Sequence, residues 1–351
     1  MAFASGYSLA EAQLLLTLAA AAYVDEKPLP GESIPAQTAR MRRDIDQSLH
    51  GSPYAAWKVA WGPGLAGDRG NMMYVAGCPS TNQYAIAVRG TDWSFWLDWV
   101  EDFASLLPLV PFGSVLPAGA DGGRIAAGTE VGLLELTLMS GETATGAAVD
   151  LLTFLRGLPP GADISVTGHS LGGCLATVLA AWLASALGSA SRLKVYTFAA
   201  PTAGDGRFAA YYNHLFTDPA TGQSTAYRVY NTLDSVPDAW ASLATIATYF
   251  SPSPRCPDYL KEIIAQGERD VGTEYVQVGT VAQGSAVALT GHVVPWSSWW
   301  NLDPTGTAQF AHQVGEQHAT ATYLGLLAAP PMMGATVKLT AMHARMQARR
   351  R

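Results

Sequence analysis

Five short runs along the chain are apolar or alternate apolar and polar residues with a period of two, the period of an extended strand. They are NMMYVAG (71–77), YAIAVRG (84–90), DISVTG (163–168), LKVYTFAA (193–200) and TAYRVYN (225–231). DISVTG, with Ile164 and Val166, has the pattern of a strand buried on both faces. Between the runs lie longer helix-like stretches: TATGAAVDLLTFLRGL (143–158), GGCLATVLAAWLASALG (172–188) and TAQFAHQVGEQHATATYLGLL (307–327). Strands alternating with helices predict an α/β fold, a mostly parallel central sheet with helices on both faces. The apolar stretch at 9–23 is read as an amphipathic helix rather than a signal segment. Ser8 and Glu11 stand at capping-box spacing, and no Lys or Arg precedes them. No apolar run is long enough to cross a bilayer, so no transmembrane segment is expected.

No repeat and no Gly/Ser- or Pro-rich linker divides the chain, so residues 1–351 are read as a single domain with insertions. One insertion is ASLLPLVPFGSVLPAGA (104–120). Its prolines rule out a long helix or a central strand, and its apolar surface suits a lid. The other, near 285–302, carries Trp296, Trp299 and Trp300 in a loop-like context.

Composition narrows the function classes. With 49% apolar and 14% charged residues the chain is built to bury a core. A formal net charge of −7 argues against a nucleic-acid partner. The basic tail, Arg345 and Arg349 to Arg351, reads as a solvated end. Three cysteines cannot all pair; Cys174 reads as a core residue, while a Cys78–Cys256 bridge stays open. No metal-ligand, Walker or Rossmann motif is present, and no cofactor is expected.

The chemistry centres on GHSLGG (168–173). A buried-type strand runs into it and an Ala/Leu-rich helix runs out, the setting a nucleophile elbow requires. Such a turn lifts the Ser170 hydroxyl clear of the main chain and aims the free N–H groups of a helix start at it. A serine nucleophile needs a base, and the base an orienting acid, in the chain order Ser, Asp or Glu, His. Asp205, Asp234 and Asp238 are the candidate acids; His292, His312, His318 and His343 the candidate bases. His169 reads as a structural residue under the elbow.

At these residues the chain resembles the class 3, fungal-type lipases of the α/β-hydrolase superfamily, over roughly residues 10–328. GHSLGG resembles their nucleophile motif, AVRGTDWSFWLDWVEDF (87–103) their oxyanion segment, and TFAAPTAGDGRFAAYYN (197–213) the turn after the nucleophile helix. RVYNTLDSVPD (228–238) resembles the segment in which the acid precedes x-Val-Pro, and QHATATYL (317–324) the C-terminal histidine segment with a following aromatic. The resemblance implies Ser170 as nucleophile, Asp234 as acid and His318 as base. It also implies an oxyanion hole from Leu171 and Thr91, with Arg89 holding local structure. A His-x-Gly-Phe stretch often found in such lipases is absent; Ala126-Ala127-Gly128-Thr129 stands in its place.

The activity implied is carboxylester hydrolysis through an acyl-enzyme, on acylglycerol or other fatty-acyl esters, with transient contact at a lipid interface. The alternatives are an esterase on soluble feruloyl or acetyl esters, a phospholipase or acyltransferase, and a non-catalytic lipase-like binding protein. Oligomeric state and compartment, cytoplasmic or secreted, are left open.

Overall fold

The computed structural model describes residues 6–24, 28–66, 70–90, 108–116, 121–188, 193–250, 253–272, 274–295 and 306–330. The chain opens with helix α1 (Leu9–Ala21) and helix α2 (Ile34–His50). Strands β1 (Lys58–Leu65), β2 (Met72–Cys78) and β3 (Gln83–Val88) follow. Strands β4 (Leu109–Pro111) and β5 (Arg124–Ala126) form a separate antiparallel ribbon. Helix α3 (Ala127–Leu138), the hairpin β6 (Ser140–Glu142) and β7 (Ala148–Asp150), and helix α4 (Leu151–Arg156) come next. Strand β8 (Asp163–His169) leads through helix α5 (Leu171–Leu187) to β9 (Leu193–Phe198), helix α6 (Gly206–Leu215) and β10 (Ala226–Asn231). Helices α7 (Leu243–Ile246) and α8 (Asp258–Val271), strand β11 (Ala286–Leu289), and helices α9 (Thr307–His318) and α10 (Thr320–Leu326) complete it.

The central sheet has seven strands in the order β1-β2-β3-β8-β9-β10-β11. From β3 to β11 every pairing is parallel, and β2 alone runs against the rest. Alternation along the strands divides the core. Ile86, Val88, Ile164, Val166 and Val195 face the layer of α3, α4, α5 and α6. Tyr74, Ala85, Ala87, Tyr196, Phe198 and Val229 face the layer of α1, α2 and α10. Helix α5 is buried nearly all round. Leu175, Val178, Leu179 and Leu183 are at most 1% exposed, and burying each such side chain yields about 2 kcal/mol.

Helix α1 begins as expected, the Ser8 hydroxyl accepting from Glu11 N–H. It is not amphipathic, however. Seven of its residues are buried, and Glu11 ion-pairs with Lys194 of the sheet (2.5 Å) while accepting from the Tyr196 hydroxyl (3.0 Å). The helix also takes hydrogen bonds from Thr167 at Leu15 O and from Tyr74 at Leu18 O. Gln13 donates to Leu327 O (2.8 Å), so the first helix locks onto the last.

Two other expectations change. The stretch 143–158 is not one helix. A turn with Gly146 at φ 84° folds its first half into the β6–β7 hairpin, and Asp150 caps the six-residue α4 by accepting from Thr153 N–H (2.8 Å). Of the segment 104–120, residues 104–107 and 117–120 lie outside the described residues, as do the tryptophans at 296–300 and the basic tail. Within the described part, Phe112 and Leu116 are buried rather than offered to a partner. The Phe112 ring stands edge-on to Phe208 at 5.1 Å, because the β4–β5 ribbon tucks it under α6. The three cysteines are free and buried.

Candidate active site

Ser170 is the single residue between β8 and α5. Its backbone is left-handed (φ 62°, ψ −136°), a conformation that costs a non-glycine residue roughly 1–3 kcal/mol. Main-chain bonds hold it there: its N–H donates to Phe198 O (2.9 Å), and its carbonyl accepts from Gly173 and Cys174 N–H (2.8 and 3.2 Å). The turn closes because residue 172 has no side chain. A Cβ there would lie 2.4 Å from Val88 O and 2.7 Å from Gly90 N, so the end of β3 packs directly on the first turn of α5. Leu171 opens that helix, and its N–H has no intrahelical acceptor. Thr91 lies outside the described residues. Arg89 is buried and donates to Gly70 O (2.9 Å), in keeping with a structural role.

Asp234 lies in the turn after β10, its N–H donating to Asn231 O (3.0 Å). Oδ1 accepts from Val236 N–H (3.0 Å) and Oδ2 from the Tyr323 hydroxyl (2.7 Å). His318 is the last residue of α9, and its Nδ1 donates to Asp234 at 2.8 and 3.0 Å. Carboxylate oxygens only accept, so Nδ1 carries a proton, and in the neutral imidazole Nε2 is the nitrogen with the lone pair. The predicted helix 307–327 is broken here: Ala319, with ψ 136°, turns the chain and α10 brings Tyr323 back onto the acid. Burial, then the charge of Asp234, pushes the Tyr323 hydroxyl well above its usual range.

His169 joins the two halves. Its ring lies 4.8 Å from that of His318 and 5.5 Å, edge-on, from that of Tyr323. The Tyr23 hydroxyl donates to its carbonyl (3.1 Å) and lies 3.4 Å from its Nδ1. Burial, then the proximity of His318, holds the His169 imidazole well below its usual pKa. Ser170, Asp234 and His318 are 0, 1 and 2% exposed, so each is closed to solvent.

The other candidates are placed elsewhere. Asp205 caps α6, accepting from Phe208 N–H (2.9 Å) and Arg124 (3.0 Å). Burial opposes its ionisation, but these donors hold it below the usual carboxylate range. Asp238 accepts from the Tyr249 hydroxyl, and burial raises its pKa. His312 is half-buried on α9 and His292 exposed, while His343 lies outside the described residues. Three contributors escape a sequence reading: Tyr323, Asn231, whose N–H donates to the Tyr323 oxygen (2.9 Å), and Tyr23. The aromatic after His318 was the one visible signal.

Residues 85–243 match the family described as lipase (class 3). Over that span the chain is similar to the class 3 lipases. The matched span includes Ser170 and Asp234 and ends at the first residue of α7, before the segment that carries His318. Among solved structures, the M37 lipase is 24% identical, with 92% of this chain and 93% of that chain covered and a TM-score of 0.72. The LIP2 lipase of Yarrowia lipolytica is 18% identical over 66% of this chain and 73% of its own (TM-score 0.45). The Rhizomucor miehei lipase–propeptide complex is 24% identical over 67% and 65% (TM-score 0.43). The M37 likeness establishes the α/β-hydrolase fold. The likeness to the lipase (class 3) family over residues 85–243 supports the coarse activity, carboxylester hydrolysis of the lipase kind.

Proposed function

We propose that this chain is a class 3 lipase that hydrolyses fatty-acyl esters by acyl transfer through Ser170, with His318 as base and Asp234 as orienting acid. The observation that carries the reading is the His318–Asp234 contact beside the strained Ser170 turn, with the His169 ring against His318. His318 Nε2 takes the proton from Ser170 Oγ as that oxygen attacks the ester carbonyl. Asp234 stabilises the imidazolium that forms. The Leu171 N–H, at the positive end of α5, donates to the oxyanion. Thr91, next after a Gly90 packed on the elbow, supplies the second donor; losing one such donor typically costs about 3 kcal/mol. His318 then returns the proton to the departing alcohol, and water, activated the same way, releases the acid.

Ser170→Ala is expected to lower kcat on p-nitrophenyl esters by several orders of magnitude without changing the melting temperature, and to abolish labelling by a serine-directed phosphonate. Turnover retained by the folded variant rejects the assignment. Burial of Phe112 and Leu116 removes apolar surface from the expected lid and favours a second reading, an esterase on soluble esters. A panel of acyl chains from acetyl to palmitoyl, with a triglyceride emulsion alongside, decides between the two.

A further inference from the structure

We propose that the buried amides of Asn231, Gln317 and Gln313 form a positioning device for the base, setting the rotation of α9 so that the His318 ring meets Asp234. The proposal rests on the triad reading above.

Asn231 ends β10 and is fully buried. Its Nδ2 donates to the Gln317 carbonyl (2.9 Å) and to Gln317 Oε1 (2.8 Å). Its Oδ1 accepts from Leu233 N–H (3.1 Å), and its own N–H donates to the Tyr323 hydroxyl oxygen, whose proton is thereby directed to Asp234. One side chain thus touches the acid loop and the base helix, while its main chain touches the tyrosine on the acid. Gln317, the residue before His318, donates from Nε2 to His292 O (2.7 Å). Gln313, one turn earlier on the same face, pairs with both main-chain groups of Val294. Its Oε1 accepts from the N–H (3.0 Å), and its Nε2 donates to the carbonyl (2.6 Å).

A buried amide is costly unless bonded, and each side-chain oxygen and nitrogen of these three is bonded. Leucines would fill the same space at lower risk. What amides add is direction, since the Asn231 NH2 group donates only to oxygens facing it. The direction matters because His318 follows Gln317 on the helix. Turning α9 by about 20° moves a side-chain tip by roughly 2 Å, enough to break the 2.8 Å contact with Asp234. The device holds no ionisable group, so it keeps its shape while His318 cycles between charge states. Gly291 seals it: a Cβ there would lie 2.1 Å from Asn231 Oδ1, so the main chain lies directly over the amide.

The test is Asn231→Asp and Gly291→Ala, assayed on a soluble ester, with kcat counted per folded molecule from the amplitude of the unfolding transition. Asn231→Asp is isosteric, but at about pH 8 its carboxylate faces two oxygens of Gln317. Burial raises its pKa, so near pH 6 a protonated Asp regains a donor. The expected result is kcat lower by about 100-fold at the higher pH, KM within twofold, and a variant-to-wild-type ratio that climbs on acidification. Gly291→Ala, which pushes Oδ1 without deleting any bond, is expected to lower kcat by about 10-fold with KM kept. If Asn231→Asp does not fold, Gly291→Ala alone decides. Loss confined to KM, a pH-independent ratio, or kcat within twofold of wild type in the deciding variants overturns the proposal. A wild type that ignores the phosphonate and tolerates Ser170→Ala overturns the triad reading instead, before these variants are read.

Discussion

Ser170 is held by main chain, Asp234 and His318 by side chains. Around the serine, the Phe198 carbonyl and the Gly173 and Cys174 N–H groups fix the turn, and the nearest steric walls are the backbones of Val88 and Gly90. Around the acid and base, the anchors are chiefly the Tyr323 hydroxyl and the Asn231 and Gln317 amides, with main-chain help from Val236 N–H and from the Asp234 N–H bond to Asn231 O. The two sides therefore differ in what breaks them. The elbow fails when volume is added to its glycines, whereas the acid–base side also fails when polar atoms are removed.

The largest expected effect is at the base. His318→Ala should cut kcat on the order of 10⁴-fold or more, and His312→Ala should have little effect. The reverse ranking, read from steady-state kinetics, would move the base to His312. Next is Gly172→Ala. A methyl 2.4 Å from Val88 O forces β3 and α5 apart and should cost about 3 kcal/mol or more in a denaturant melt. A stability loss below that of an ordinary surface change would show that the elbow is not backbone-limited.

Tyr323→Phe changes only a hydroxyl. Its loss leaves the buried Asn231 N–H and an Asp234 oxygen without that partner and should cost about 1.5–3 kcal/mol of stability, while kcat/KM counted per folded molecule falls by roughly 10- to 100-fold. An unchanged kcat/KM per folded molecule would make Tyr323 a packing residue. The smallest effect concerns His169. Its folded pKa lies below the unfolded value of about 6.5, so below that pH the unfolded chain binds a proton the folded one does not. Stability should then fall by about 1.4 kcal/mol per pH unit on acidification, down to the folded pKa, and be unaffected by this group above about 6.5. His169→Phe should flatten that slope; an unchanged slope would assign it to other groups.

The same contrast explains what a reader of the sequence sees. The elbow is local: strand, Gly-x-Ser-x-Gly and helix are contiguous, and three of the five predicted strand runs fall within a residue of strand ends at β2, β8 and β10, while those at β3 and β9 overrun by two. Asp234 and His318 were reached through a resemblance, because 84 residues separate them and periodicity says nothing about which loops meet. The Asn231–Tyr323 bond spans 92 residues and depends on a chain break at Ala319 that no proline or glycine announces. Residues 143–150 have helix-forming alanines, but Gly146 and pairing with β6 outweighed local preference, as tertiary context often does. Phe112 looked like exposed apolar surface because its cover, Phe208 and Tyr211, lies about a hundred residues away.

The grip of Gln13 on Leu327, 314 positions further on, has a bearing on synthesis. A ribosome delivers α1 long before α10, so the layer they share waits on all the chain between them. Contacts of such long sequence separation slow folding, since loop-closure entropy comes before the reward. The elbow, in contrast, can form once β8, α5 and β9 have emerged. A half-made chain therefore carries its serine without the histidine, and the cluster around His318 is assembled in one late event.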